Sequence, residues 1–317
     1  MAHELEMING KAQMAWVGET PWHGLGVKVA DDLTPHEMMF AAGLDWFVKE
    51  KDCFININNE YVPSGMKALI RETDNRILTH VGKDWEPVQN EQAFEFFNEF
   101  VSTGQMKMHT AGSLKNGQIV WALAKVEDNF ELFNGDRVDS YLLFSNPHQY
   151  GKTIDIRFTP IRVVCNNTLT LSLQNSSKRS ITLDHRKKFD PEVAKSALNI
   201  ARFKMKLYKE QAEFLGSKRT TADTIKQYFG ELLGTQEKDG TQVLNRNAQK
   251  ALTFLETQPG ANFAEGSWWS AFNTITYMAD HVIGRSKDSR LYSSWYGNNR
   301  RLKEEALDKA LDYANVA

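Results

Sequence analysis

The residues with the most to say about chemistry are cations. Arg157, Arg162, Arg186, Lys187 and Lys188 crowd the middle of the chain, and Arg202 and Lys206 follow one helical turn apart, between Lys195 and Lys209. A row of such groups suits a phosphate backbone, because each contact releases a condensed counterion. Between residues 285 and 303 stand Arg285, Lys287, Arg290, Arg300, Arg301 and Lys303 against one acid, Asp288. Tyr292, Trp295 and Tyr296 lie among them. Cations interleaved with aromatics can hold phosphates while rings stack on bases, at about 1–3 kcal/mol per base. The nucleic-acid candidates are therefore Arg157, Arg162, Arg186, Lys187, Lys188, Arg202, Lys206, Tyr292, Trp295, Tyr296, Arg300 and Arg301. The same cations also fit a solvated surface, and Trp295 and Tyr296 also fit a covering for a helical core.

Other chemistries find less support. Gly151-Lys152-Thr153 has the ending of a phosphate loop, but Asn146 occupies the place of its first glycine and a strand-like alternation follows where a helix is required. Gly24 and Gly26 lack the third glycine of a dinucleotide turn, since Val29 stands there. The eight histidines show no zinc-ligand spacing, and no G-x-S-x-G occurs. Cys53 and Cys165 are too far apart in sequence to suggest a disulfide framework, so a reducing cytoplasm is expected. Cys165 near Arg162 fits either a buried structural thiol or a reactive one. No catalytic residue, metal or cofactor is assigned.

Charge is distributed unevenly. Residues 1–140 hold 12 Lys and Arg against 22 Asp and Glu, whereas residues 151–226 hold 16 against 7, and the whole chain of 317 residues carries a net charge of -2. An acidic front and a basic middle suit a polyanionic partner, head-to-tail self-association, or both. Hydrophobic residues make up 41% and charged residues 25%, an ordinary globular balance. No apolar run approaches the ~18 residues of a membrane span, and the acidic start Met1-Ala2-His3-Glu4 has no signal-peptide character.

Positioning these groups calls for an α+β chain. Residues 1–30 read as an arm. Thr34, Pro35 and Glu37 form a capping-box start for a helix that Gly43 stops. Short β-prone runs at 54–57, 67–71 and 77–81 form an antiparallel meander, with turn chemistry at Asn58-Asn59 and Thr73-Asp74-Asn75. Ala93, Phe96, Phe97 and Phe100 fall on one helical face. Further strands are expected at 118–124, 141–144, 153–158, 161–165 and 180–183, which puts Arg157 and Arg162 on neighbouring strands or a tight hairpin. Ala194, Leu198, Ala201, Met205, Tyr208, Ala212 and Leu215 make the stripe of a long amphipathic helix. Helices are also expected at 221–234, 244–257, 266–284 and 302–315, with Trp268 and Trp269 in the core. The expected divisions are an arm (1–30), an α+β core (31–189) and a helical part (190–317).

Several segments resemble one family, the phage/plasmid-like proteins, a domain family of unknown function. They are Pro21-Trp22-His23-Gly24-Leu25-Gly26, Trp85-Glu86-Pro87-Val88-Gln89-Asn90, Ala111-Gly112-Ser113-Leu114-Lys115-Asn116-Gly117, Pro160-Ile161-Arg162-Val163-Val164-Cys165-Asn166-Asn167-Thr168-Leu169 and Ala271-Phe272-Asn273-Thr274-Ile275-Thr276. The resemblance implies a mobile-element origin and brings no catalytic residues with it. The order of elements in 34–100 is also similar to the core of single-strand annealing recombinases, which form rings with DNA in a basic groove.

The leading expectation is a non-enzymatic nucleic-acid-binding protein of the bacterial host cytoplasm, favouring single-stranded DNA, self-associating as a homo-oligomer and free of membrane. One alternative is a protein-binding module that engages a host or defence protein. Another is an enzyme acting on nucleotides, with Arg162, Cys165 and His185 lining its pocket.

Overall fold

Local chemistry starts the first helix as the residues dictate. Thr34 Oγ1 accepts the N–H of Glu37 at 3.2 Å, and Glu37 Oε2 accepts the N–H of Thr34 at 2.8 Å. The helix, α1, covers Pro35–Ala41 and ends before Gly43, whose φ of +70° few other residues adopt. These coordinates are a computed structural model that describes residues 5–18, 24–133, 135–162, 167–168, 182–183, 191–238, 240–284 and 290–316. The chain is α+β, with antiparallel strands and a helical C-terminal part. It folds as two compact units, each assembled from separate stretches: residues 1–127, 141–157 and 172–201, then residues 128–140, 158–171 and 202–317. The polypeptide crosses between them several times.

In the first unit, β1 (Met7–Ile8) and β2 (Lys11–Ala12) form a small hairpin, and β3 (Met14–Trp16) pairs in parallel with β4 (Val27–Lys28). The meander is β5 (Val48–Ile57), β6 (Glu60–Arg71) and β7 (Ile77–Gly82), all antiparallel. The helix expected over 91–100 is broken into α2 (Asn90–Glu95) and α3 (Asn98–Ser102). The break follows from a tight turn in which the N–H of Phe97 bonds to the carbonyl of Phe94, three residues back. It lets Phe96, Phe97 and Phe100 cluster with Phe144. The larger sheet runs from β4 through β3 and β8 (Met106–Leu114) to β9 (Ile119–Leu132), β10 (Asp136–Pro147) and β11 (Ile154–Arg162). Its last three strands each have one end in either unit.

Several buried polar groups in the first unit are paired. Arg71 is fully buried; it donates to Glu6 at 2.6 Å and to Asp74 at 2.7 and 2.9 Å, and its guanidinium lies over the ring of Trp46. Burial alone would lower its pKa, but the hydrogen bonds to Asp74 and Glu6 outweigh that and raise it. His148 Nε2 lies 3.0 Å from Asn90 Oδ1, and Asn90 Nδ2 donates to the carbonyls of Leu44 and Trp46.

In the second unit, β12 (Asn167–Thr168) pairs with the end of β11, whereas in the first unit β13 (Thr182–Leu183) pairs with its start. The long helix α4 (Pro191–Ser217), whose residues through Ala201 belong to the first unit, buries Ala201, Met205, Tyr208, Ala212 and Leu215, as the described part of the stripe predicts. Then come α5 (Ala222–Leu233), a hairpin of β14 (Thr235–Lys238) and β15 (Thr241–Leu244), and α6 (Arg246–Thr257). Ser267 caps α7 (Trp268–Tyr277), which buries Trp268, Trp269, Phe272 and Ile275. Trp269 donates to Asp136 at 2.9 Å, and fully buried Tyr228 donates to the carbonyl of Ala306 at 2.8 Å. A π-helical turn, Met278–Val282, leads on to α8 (Arg290–Tyr296) and α9 (Asn298–Val316). Among the described residues, no helix is long and apolar enough to cross a membrane.

Candidate nucleic-acid interface

The clearest cationic surface is on α4. Helical phase gives this helix two faces: the buried stripe, and a face turned to water that bears Arg202 and Lys206 one turn apart. Lys209 continues it and lies 3.8 Å from Glu213. Between the cations stand two apolar side chains the stripe does not contain, Phe203 at 64% exposure and Leu207 at 37%. Further along the same side, Lys218 Nζ lies 5.5 Å from the centre of the Phe214 ring. A phenyl ring left in water next to an arginine and a lysine offers a flat apolar surface with phosphate-binding groups along one flank.

The C-terminal candidates divide differently. Tyr292 and Tyr296 sit one turn apart on α8, both partly exposed, with ring centroids 5.4 Å apart. Trp295, expected to stack on a base, is only 5% exposed. That expectation is corrected: the indole is core, because the helical phase that turns Tyr292 and Tyr296 outward turns Trp295 inward. Arg300 is held by Glu304, its Nη1 lying 2.7 and 2.9 Å from the two carboxylate oxygens, whereas Arg301 is exposed.

Two neighbouring cations are structural. Lys303 is fully buried and donates to Asp280 at 2.6 Å. Burial pushes its ammonium pKa down, against the pull of Asp280. Arg290 donates to the carbonyl of His281 at 2.7 Å, and Asn299 donates to those of Ala279 and Ile283 at 2.5 and 3.2 Å. A π-helical turn leaves carbonyls without the regular helix ladder, and these side chains take them up.

The middle candidates meet two outcomes. Arg157 is ion-paired with Asp155, two residues away on the same strand, and both are mostly buried. Arg157 and Arg162 lie five residues apart on the single strand β11, not on neighbouring strands, because the strand runs on through Thr159 and Pro160. The backbone of Arg162 pairs with Asn167. Arg186, Lys187 and Lys188 lie outside the described residues, as do Cys165 and His185. Sequence reasoning missed Phe203 and Leu207; their signal is an i, i+4 apolar pair on the side of α4 away from its stripe. Among the described residues, no group of three His, Cys, Asp or Glu is placed to hold a metal ion.

No match is found among curated proteins or among solved structures. One family matches, over residues 77–302, and it is described as a domain of unknown function, DUF932.

Proposed function

The chain belongs to the DUF932 family, and from its own residues we propose that it binds single-stranded nucleic acid, DNA in the first instance, through the exposed face of α4. The observation that carries this reading is Phe203, 64% exposed between Arg202 and Lys206. Arg202 and Lys206 neutralise neighbouring phosphates, and Phe203 receives a base on its ring. Tyr292, Tyr296 and Arg301 supply a second platform of the same composition. The surplus of 16 Lys and Arg over 7 Asp and Glu across residues 151–226 supports this reading, since it draws a polyanion to the half of the chain that carries α4. A mobile-element origin and a use in strand annealing belong to the same proposal.

Fluorescence anisotropy of a labelled single strand, titrated at several salt concentrations, tests it. Affinity should fall steeply with salt, and Phe203→Ala should weaken single-strand binding more than duplex binding, because only unstacked bases reach a protein ring. Affinity that stays flat as salt rises would refute phosphate neutralisation.

A further inference from the structure

An exposed apolar surface also lies away from the helices. The hairpin β5–β6 outruns its third strand: β7 pairs with β6 only over Met66–Ile70, so the pairs Phe54↔Pro63, Ile55↔Val62, Asn56↔Tyr61 and Ile57↔Glu60 have no strand beyond them. At the tip, Asn58 and Asn59 both take left-handed φ, +50° and +66°, the two-residue turn that suits the twist of paired strands. The five residues from Cys53 to Ile57 thus carry a bare ribbon about 17 Å outward at the rise of a β-strand.

Its composition is unusual for a ribbon in water. Phe54, Ile55, Ile57, Tyr61, Val62 and Met66 are between 42% and 75% exposed. Cross-strand partners share a face, so Ile55, Ile57 and Val62 form one side, while Phe54, Tyr61 and Pro63 form the other. Each side carries one polar residue near the tip, Glu60 on the first and Asn56 on the second, and is otherwise apolar; both face solvent. Between Asp52 and Lys67 the one charged residue is Glu60. A two-stranded hairpin alone is marginal in water, and this one has nothing described against either side.

We propose that this ribbon is a self-association element, on which the ribbon of a second copy of the chain docks about a two-fold axis. Absence of cations rules it out as a seat for nucleic acid. Its occupant must be apolar, must cover two opposite sides, and must be of similar length. Another ribbon meets all three conditions, because an isologous interface matches a patch to itself. Two-stranded ribbons are the most strongly twisted β structures, so a pair wound about each other can bring both sides into contact. The five of these side chains that lie on the ribbon, Met66 set aside, expose roughly 550 Å² per copy, taking about 200 Å² for a large side chain. Two copies that cover them fully bury roughly 1,100 Å², just above the ~1,000 Å² that a specific interface needs. Open-ended growth along the edge is opposed by Lys49, Glu50, Lys51 and Asp52 at the root of β5, where charges discourage strand addition. The proposal does not rest on nucleic-acid binding, and the dimer forms without it.

Sedimentation velocity of the full chain, from low to high micromolar concentration in nuclease-treated buffer, reads the outcome. The mass should rise from 36.2 kDa towards twice that value. Ile55→Lys and Tyr61→Asp, one on each side, should each weaken association at least tenfold, whereas Phe203→Asp should leave it unchanged. Hydrogen exchange on the unmodified chain serves as the second measurement: amides of residues 54–63 should gain protection as concentration rises. A chain that stays single at all concentrations, ribbon amides indifferent to concentration, or a dimer that survives both substitutions overturns the proposal. The first of these would hand the ribbon to a different protein.

Discussion

Lys303 Nζ sits 2.6 Å from Asp280 Oδ1, and water reaches almost none of either side chain. The carboxylate belongs to the π-helical turn, and the ammonium comes from the first turns of α9. Cations that look like a phosphate surface in the sequence thus secure the packing of the C-terminal helices. Lys303→Met should cost about 3–5 kcal/mol in urea unfolding, because it strands a buried carboxylate. Adding Asp280→Leu should recover most of the loss, since two apolar groups need no partner. An equal loss in the double variant would mean that shape, not charge, governs the site.

Acid should loosen the first unit through Asp74. Its hydrogen bonds from Arg71, with further help from the backbone of Arg76, hold its pKa at about 2 against an ordinary 3.8. A carboxyl with a lowered folded-state pKa stabilises fully above its unfolded value and loses that contribution as pH falls through the folded one. Stability should therefore decline between pH 3.8 and about 2. Asp74→Asn should flatten that part of the profile. Asp74 is 39% exposed, so solvent screening keeps the effect modest. An unchanged profile in Asp74→Asn would assign the acid sensitivity to other carboxyls.

What the sequence made legible was local or periodic. Thr34 and Glu37 meet because a capping box needs only three residues of chain, and the stripe from Ala201 to Leu215 is buried because helical phase fixes it. Phase says which residues share a face, not what covers that face. From sequence alone Lys303 therefore reads as one of a group of phosphate-seeking cations, and Trp295 fits a stacking ring and a core residue alike. The run 54–57 and the Asn58-Asn59 turn are legible in the sequence; the second arm of the ribbon at 60–63 is not, and the lack of a covering depends on where β7 stops, which no local pattern reveals. Phe203 and Leu207 were overlooked because the stripe on the other side of α4 already accounted for a helix.

The α4 face should set the salt dependence of binding. Each phosphate contact on a single strand contributes about 0.7 to the slope of log affinity against log salt. Arg202→Ala with Lys206→Ala should reduce that slope by about 1.4, with weaker binding to every sequence. The measurement is a pair of salt titrations on one labelled strand. A double variant with the wild-type slope would place the phosphates elsewhere.

Trp295 should behave as core. Trp295→Ala should destabilise the chain by about 3–5 kcal/mol, the cost of emptying a tightly filled site. Any loss of binding should follow the loss of folded protein and affect single strands and duplex alike. A variant of wild-type stability with a selective single-strand defect would restore the stacking role that its 5% exposure argues against.

Gly216 tests how closely the end of α4 is fitted. A Cβ built there would overlap the ring of Phe133, in the turn that follows β9. Glycine in a helix ordinarily costs about 0.5–1 kcal/mol relative to alanine, so Gly216→Ala at an open site would stabilise. Here the ring must move, and Phe133 has φ of +46°, a backbone conformation with little freedom to yield. Overpacking of this kind costs about 1–3 kcal/mol, which exceeds the gain in helix propensity. Thermal unfolding of Gly216→Ala should therefore show a lower midpoint. Gly216→Ala combined with Phe133→Leu should give part of it back, because the smaller side chain vacates the space the methyl needs; a higher midpoint in the single variant would mean that the ring swings aside at little cost.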